Sequence, residues 1–184
     1  MRLFIAISFP EQELRAISDR IAMVKSRLPA AAWVRPETQH LTFAFLGDQP
    51  DSLLETLAKC VEENLAGVPR FEGRLRGSGF FPNARHARVG WVGATPDDSF
   101  RAVADAVRTG VKAAGVTLDG GDFRPHLTLF RIRDPWPPAC MEIFTNALRD
   151  YKSDPFPVDH VTLFSSVLDP KGAIHTPQRT FALA

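Results

Sequence analysis

A short polar motif occurs twice within apolar segments of this chain and constrains its fold more than any other feature. His40-Leu-Thr-Phe at 40–43 matches His126-Leu-Thr-Leu at 126–129. Each copy follows a proline-containing extended segment, Trp33-Val-Arg-Pro in the first case and Phe123-Arg-Pro in the second. A motif that recurs together with its lead-in is typical of a duplicated unit, so we expect two similar halves.

Hydrophobic periodicity predicts strands and helices on both sides of the two motifs. Helices are expected at 11–28, 51–65, 97–114 and 137–151. Strands are expected at 2–9, 33–34, 40–46, 71–81, 87–94, 123–132, 156–166 and 173–183, with a turn at 169–172. This order predicts an α+β protein.

The length and composition are those of a single globular domain covering residues 1–184. The 184 residues are 45% apolar and 23% charged, close to the average of folded soluble chains. Cys60 and Cys140 form no CxxC pair, which favours a reducing, cytoplasmic setting. No apolar run approaches the ~20 residues of a membrane helix. A net charge of +1 identifies no class of partner.

A basic and aromatic segment lies between Arg70 and Arg88. It contains five arginines against one acidic residue, Glu72, with three phenylalanines among them. Basic groups neutralise phosphates and aromatic rings stack on bases, so this composition fits a nucleic-acid-binding edge. It also fits an ordinary solvated surface, which is the commoner case.

The two motifs offer the same chemistry. Residues two apart point to one face of a strand, so His40 projects with Thr42, and His126 projects with Thr128. With an imidazole pKa of ~6.5, one ring can take a proton from water while the other gives one to a leaving alkoxide. The threonine hydroxyls can donate to phosphate oxygens, where charge builds in the transition state. No metal is needed.

A third copy of the motif, His160-Val-Thr at 160–162, lacks the proline lead-in and lies where a duplication predicts no partner. We therefore interpret His160 as structural. The chain contains no HExxH pattern and no glycine-rich nucleotide loop. The sequence thus predicts neither a metal site nor a cofactor.

Five stretches resemble the two-histidine phosphoesterase superfamily, and within it the RNA 2′,3′-cyclic phosphodiesterase family, also called the 2′-5′ RNA ligase family. They are RLFIAISFP at 2–10, HLTFAFLGD at 40–48, RVGWVG at 88–93, FRPHLTLFR at 123–131 and VTLFSS at 161–166. The resemblance implies a bilobal, pseudo-two-fold fold, in which two small, mainly antiparallel sheets face a central cleft with helices outside. It also implies metal-independent hydrolysis of RNA 2′,3′-cyclic phosphate ends to 2′-phosphomonoesters.

The resemblance implies roles for the motif residues. His40 and His126 would be the acid and the base, and Thr42 and Thr128 would donate to the phosphate oxygens. In the family's usual mechanism the first histidine protonates the leaving 3′ oxygen and the second activates water. The pseudo-symmetry makes these two roles easy to exchange.

Two further residues are implicated as substrate-binding. Arg131 matches an arginine that contacts phosphate in the family. Strand alternation alone puts Arg131 on the face opposite His126, so this role requires a bulge, a strand end or a long reach. His175 stands where the family often has a tyrosine, and we expect it to contact substrate; the alternative is a surface histidine after a turn.

Two alternative functions remain open from the sequence. The same site could catalyse reversible 2′-5′ RNA ligation, or act on a cyclic phosphate other than RNA. It could also be a nucleotide- or RNA-binding module without turnover, although binding alone does not require an acid-base pair. The expected partners are RNA ends or cyclic nucleotides, without membrane association, and the chain is expected to be a monomer.

Overall fold

A computed structural model describes residues 1–169 and 172–184, and these residues form nine strands and four α-helices. The strands are β1 (Arg2–Ser8), β2 (Ala32–Trp33), β3 (His40–Asp48), β4 (Phe71–Phe81), β5 (Val89–Thr95), β6 (His126–Arg131), β7 (Phe156–Val158), β8 (His160–Asp169) and β9 (Gly172–Ala182). The helices are α1 (Glu11–Lys25), α2 (Leu54–Leu65), α3 (Asp97–Ala113) and α4 (Pro138–Ala147). Short 3-10 helices occur at Pro36–Thr38, Asp51–Leu53 and Ala84–His86. The turn expected at 169–172 has its two central residues outside the described part of the chain.

The strands form two sheets. Their orders are β3-β1-β8-β9 and β2-β6-β5-β4-β7, and the paired strands named here run antiparallel. Each sheet contains one motif strand: β3 is at the edge of the first sheet, and β6 lies beside the short edge strand of the second. The prediction of an α+β fold with two mainly antiparallel sheets is confirmed.

The prediction of a single strand at 156–166 is wrong. Phe156–Val158 pairs with β4 in the second sheet, whereas β8 begins at His160 and pairs with β1 in the first sheet. Asp159 is the residue between them, so the chain changes sheets at this point. An extended segment that passes from one sheet to another has strand-like sequence on both sides of the crossing, and periodicity alone does not reveal the change.

Helices α2 and α3 pack against each other through apolar faces. The buried residues of these faces are Leu57, Ala58, Val61 and Leu65 in α2, and Phe100, Val103, Ala104, Val107, Gly110 and Val111 in α3. A Cβ atom added at Gly110 would lie 2.7 Å from both the carbonyl oxygen of Cys60 and the Cα of Val61. These are backbone atoms, so the helices can approach this closely only because residue 110 has no side chain.

We therefore expect Gly110→Ala to destabilise the protein by about 1–3 kcal/mol, the usual cost of overpacking a close contact. Helix propensity alone predicts the opposite sign, a gain of roughly 0.5–1 kcal/mol for alanine over glycine. Denaturant unfolding would measure the difference, with Gly120→Ala as the matched control because nothing lies within 4 Å of a Cβ there. A stabilised Gly110→Ala variant would show that the two helices can separate at no cost.

Candidate active site

The first motif strand contains one extra residue immediately after its threonine. Thr42 pairs with Ala6 of β1, and Ala44 pairs with Ile5, so Phe43 is left without an opposite residue. This is a β-bulge, which reverses the alternation of side chains beyond it.

The second motif strand has its bulge at the equivalent position. Thr128 pairs with Trp91 of β5, and Phe130 pairs with Gly90, so Leu129 is the extra residue. The two strands therefore share the bulge as well as the motif, which strengthens the interpretation of the chain as a duplicated unit.

The bulge determines where Arg131 lies. Leu129 and Phe130 are consecutive and both buried, so the next side chain returns to the face of His126. The difficulty that strict alternation raised for Arg131 is thereby removed, because the strand has the bulge that this role requires.

A small pocket lies between the two motif strands. Its volume is about 120 Å³, and five of the six site residues expected from the sequence line it. The lining residues are Val34, Thr38, Gln39, His40, Thr42, His126, Thr128 and Arg131. The sixth, His175, lies in a neighbouring pocket.

Both histidines are oriented by the same backbone contact. His40 Nδ1 lies 2.8 Å from the carbonyl oxygen of Thr38, and His126 Nδ1 lies 2.7 Å from that of Arg124. A carbonyl oxygen only accepts, so each Nδ1 carries a proton and donates it. In each neutral ring Nε2 is then the atom that can take up a proton.

Burial keeps both rings neutral near pH 7. It lowers the pKa of His40 to about 4, with smaller contributions from the nearby His175 and His126 rings, against the opposing effect of the Thr38 hydrogen bond. Burial also lowers the pKa of His126, and the Arg131 guanidinium lowers it further, although the Arg124 hydrogen bond opposes this. Arg131 is thus the side chain that gives this pocket a positive charge at neutral pH.

Aromatic rings pack against both histidines, Phe4 from the adjacent strand β1 and Phe81 from β4, which is two strands away from β6. The Phe4 ring centroid is 4.7 Å from that of His40, and the Phe81 centroid is 4.8 Å from that of His126. Phe81 also stacks on Trp91 at 5.1 Å. Each imidazole therefore has an apolar wall beside it, consistent with its lowered pKa.

His175 contributes to a second pocket of about 90 Å³ that adjoins the first. Its ring centroid lies 4.9 Å from that of Phe4 and 5.2 Å from that of His40. Phe164 stacks on Phe4 at 5.3 Å on the same face. The lining residues are Phe4, Ser8, Glu37, Thr38, Gln39, His40, Phe164 and His175.

Sequence reasoning did not single out Phe4, Phe164 or Gln39 as site residues. One signal was available for Phe4, because alternation in β1 puts Phe4 on the face opposite the apolar Leu3 and Ile5. That signal could not be interpreted without the register between β1 and β3, which decides which face meets the motif. The pairing of β8 with β1 likewise places Phe164 opposite Phe4 in the register.

The structure puts the third motif copy outside both pockets. The His160 side chain is 56% exposed, and its Nδ1 lies 2.5 Å from Asp159 Oδ1. Thr162 is buried in the first sheet, with its hydroxyl 3.4 Å from that of Thr180.

The basic and aromatic segment is divided between several environments. Phe80 is part of the core, while Phe81 packs against His126. Arg74 donates to the carbonyl oxygen of Ser153 at 3.0 Å, and Arg88 donates to that of Arg133. The segment as a whole is therefore a strand and turn of the second sheet, and only part of it faces the pocket.

Neither a metal cluster nor a membrane span is found in residues 1–169 and 172–184. Within these ranges no three or more His, Cys, Asp or Glu side chains are grouped as a metal site would require. None of the four α-helices is both long and apolar enough to cross a bilayer.

Comparison with known families identifies the class of this protein. Residues 10–170 match the model of the 2′-5′ RNA ligase superfamily, and the chain belongs to this superfamily. An RNA 2′,3′-cyclic phosphodiesterase from Thermus thermophilus is 33% identical over 100% of this chain and 90% of its own length. One from Methanothermobacter thermautotrophicus is 28% identical over 100% of this chain and 99% of its own length.

Solved structures share the fold over the whole chain. The Thermus thermophilus protein TT0787 has a TM-score of 0.78 and 30% identity, and the match covers 100% of this chain and 98% of that one. Escherichia coli LigT, solved with 3′-AMP, has a TM-score of 0.75 and 24% identity, and the match covers 99% of this chain and 97% of LigT. The fold and the family expected from the sequence are both confirmed.

The lowered pKa of His40 predicts an acid-sensitive fold. Since the pKa is about 4 in the folded protein against 6.5 for an unperturbed histidine, the unfolded chain binds more protons between these values. Stability is therefore lost as the pH falls from about 6.5 towards about 4, by roughly 2–3 kcal/mol at pH ~4.5 from this residue. His40→Asn should lose less stability than the wild type between pH 7 and 4.5 in urea unfolding. The exposed His160→Asn should follow the wild type, and equal acid sensitivity of all three proteins would contradict the assignment.

Proposed function

We propose that this chain hydrolyses the 2′,3′-cyclic phosphate of RNA ends to a 2′-phosphomonoester without a metal. The observation that supports this proposal most directly is the pair of histidines in one small pocket. In each ring Nδ1 donates to a backbone carbonyl, so Nε2 is available to exchange a proton. The relatives that are named RNA 2′,3′-cyclic phosphodiesterases support this choice of substrate.

In the proposed reaction, water attacks phosphorus as the bond to the 3′ oxygen breaks. One histidine takes a proton from the water, and the other gives a proton to the departing 3′ oxygen. Thr42 and Thr128 donate to the non-bridging oxygens, where charge accumulates in the transition state. Arg131 balances the negative charge of the cyclic phosphate.

The neighbourhood of each histidine suggests which is the base. Arg131 favours the neutral form of His126, and this suits it to accept a proton from water. No arginine or lysine contributes to the lowered pKa of His40. A bound phosphate anion raises the pKa of a nearby imidazole, because opposite charge favours the charged form. We therefore propose, in the order that the family resemblance implies, that His40 is the acid towards the 3′ oxygen and His126 the base, with the bound phosphate anion offsetting the burial that lowers the pKa of His40.

The second pocket is proposed to hold the nucleoside that carries the cyclic phosphate. Phe4, Phe164 and His175 give it aromatic surfaces, on which a base can stack. His175 is the proposed substrate-binding residue of this pocket, although a histidine offers less stacking area than the family's tyrosine. RNA ends and cyclic nucleotides are therefore the proposed partners, and the chain is proposed to act as a monomeric single domain in the cytoplasm.

Reversible 2′-5′ ligation is a second candidate function. The stacked Phe81 and Trp91 provide an aromatic wall beside His126, on the proposed side of the nucleophile. If a 5′-hydroxyl nucleoside stacks there in place of water, the same acid and base produce a 2′-5′ phosphodiester. Incubation of a cyclic-phosphate-ended RNA with a 5′-hydroxyl RNA would show a joined product if this reaction occurs.

The histidine roles predict large losses of turnover. His40→Asn and His126→Asn retain a donor for the backbone carbonyl but no titratable nitrogen, so each should lower kcat by about 10²–10⁴-fold. His160→Asn should retain wild-type kcat. The measurement is hydrolysis of an oligonucleotide with a 2′,3′-cyclic phosphate, with identification of the product end.

Excess EDTA in the same assay distinguishes this mechanism from metal-assisted hydrolysis. Activity should persist with EDTA and should not increase with Mg²⁺, Mn²⁺ or Zn²⁺. The two-histidine mechanism is wrong if EDTA abolishes turnover and one divalent ion restores it. It is also wrong if His160→Asn is as damaging as the other two variants in a folded protein.

The pH dependence should distinguish free protein from complex. The active form needs one charged and one neutral imidazole, so both profiles are bell-shaped and their limbs belong to the pair. Because both pKa values are lowered in the protein alone, kcat/KM should reach its maximum below pH ~6.5. The alkaline limb of the kcat profile should lie at higher pH than that of the kcat/KM profile, because the bound phosphate anion favours the imidazolium. Superimposable kcat and kcat/KM profiles would contradict this coupling.

A further inference from the structure

We propose that Arg2, stacked on the exposed ring of Phe45, binds the phosphate that joins the last two nucleotides of the substrate. The inference rests on the proposed function and deepens it, because it makes the preferred substrate an RNA chain rather than a nucleoside cyclic phosphate. It assigns to the first sheet a substrate contact outside the two pockets described above.

The duplicated motif strands point to this position. Phe45 and Arg131 each come three residues after the motif threonine, beyond a bulge at the same place. They are therefore structural equivalents in the two sheets. In the second sheet this position supplies a cation to the phosphate pocket, whereas in the first it supplies an aromatic ring.

A cation nevertheless lies at this position in the first sheet. The Arg2 guanidinium carbon is 4.9 Å from the centroid of the Phe45 ring, and Phe45 is 49% exposed. Stacking on an aromatic ring restricts the planar guanidinium and leaves the donors at its edge free for an anion.

The Arg2 guanidinium forms no ion pair within the described part of the protein. Asp48 is opposite Arg2 in the register of β1 and β3, yet no ion pair joins them. No other carboxylate of residues 1–169 and 172–184 lies within 4.0 Å of its guanidinium. Stacking on Phe45 is therefore its main contact here, and the cation is available to a ligand.

Arg2 lies two residues along β1 from Phe4, which packs against His40 in the pocket where the reaction is proposed to occur. Arg2 and Phe4 share a face of β1 because they are two residues apart, a separation of about 7 Å in a strand. The Phe4 ring in turn lies 4.7 Å from His40. A chain whose cyclic phosphate lies at His40 and whose last nucleoside lies on Phe4 would bring its next phosphate towards Arg2. Alternating aromatic rings and cations are the usual pattern for single-stranded nucleic acid.

Three substrates isolate the contact. They are a nucleoside 2′,3′-cyclic phosphate, the same compound with a 5′-phosphate, and a trinucleotide with a 2′,3′-cyclic phosphate. The wild type should prefer the last two. Arg2→Ala should lower kcat/KM for these two by about five- to twentyfold through KM, and should leave the first substrate within about twofold, since only one phosphate contact is lost.

Two further variants sharpen the test. Phe45→Leu preserves the charge of Arg2 and most of the apolar volume, so it should give a smaller loss of about two- to threefold on the phosphate-bearing substrates. Arg20→Ala is the matched control. Arg20 lies on the exposed side of α1, and its guanidinium carbon is 5.3 Å from the centroid of the Tyr151 ring. This control should leave the ranking of the three substrates unchanged.

Salt dependence gives an independent readout. Binding of a fluorescent trinucleotide with a 2′-phosphate end, followed by anisotropy, should weaken with salt in both proteins. The slope of log affinity against log salt should be shallower in Arg2→Ala by about 0.7, the value for one phosphate contact in a single strand. A variant that acts only through folding would not change this slope.

The outcomes separate this inference from the proposed function. If the wild type hydrolyses none of the three substrates, the proposed function is wrong. The anisotropy titration still tests the role of Arg2 in that case. The inference is overturned if Arg2→Ala lowers all three substrates equally, if the wild type shows no preference for an upstream phosphate, or if the salt slope is unchanged.

Discussion

The extra residue after each motif threonine decides which side chains meet in the cleft. Strict alternation would send Arg131 to the opposite face and leave the pocket without an arginine. With the bulge, two consecutive residues of β6 are buried and the third returns to the face of His126. Because β3 has its bulge at the same place, the fold provides two equivalent positions beyond the motifs, and the chain fills them differently.

The neutral state of the histidines follows from the same packing. Each ring lies between an aromatic wall and a backbone carbonyl, and burial disfavours its charged form more than the carbonyl favours it. The carbonyl also fixes the tautomer, since Nδ1 must donate to it. An anion bound beside a buried histidine of this kind favours its charged form, so we expect anion binding and protonation to be coupled.

Much of this arrangement could be predicted from the sequence, for reasons that particular residues illustrate. The pairing of His40 with Thr42 needed only the two-residue period of a strand, and the match between 33–43 and 123–129 indicated the duplication. The bulge at Leu129 could not be predicted, because it depends on the register of β6 against β5. The division of 156–166 between two sheets and the packing of His175 on Phe4 likewise depend on contacts between residues distant in the chain.

The two halves differ at the position beyond the bulge, so the surroundings of the two histidines are unequal. A duplicated site with identical halves would offer two equivalent histidines, and no feature would decide which gives the proton. Arg131 lies near His126 and, together with burial, lowers its pKa. The equivalent position in the first half is Phe45, and its neighbour Arg2 does not line the small pocket between the motif strands. At His40 no arginine opposes the charged form, and burial together with the His175 and His126 rings lowers its pKa instead. Under the proposed assignment of His40 as the acid and His126 as the base, the arginine at one of the two equivalent positions is a difference that favours the neutral form of His126.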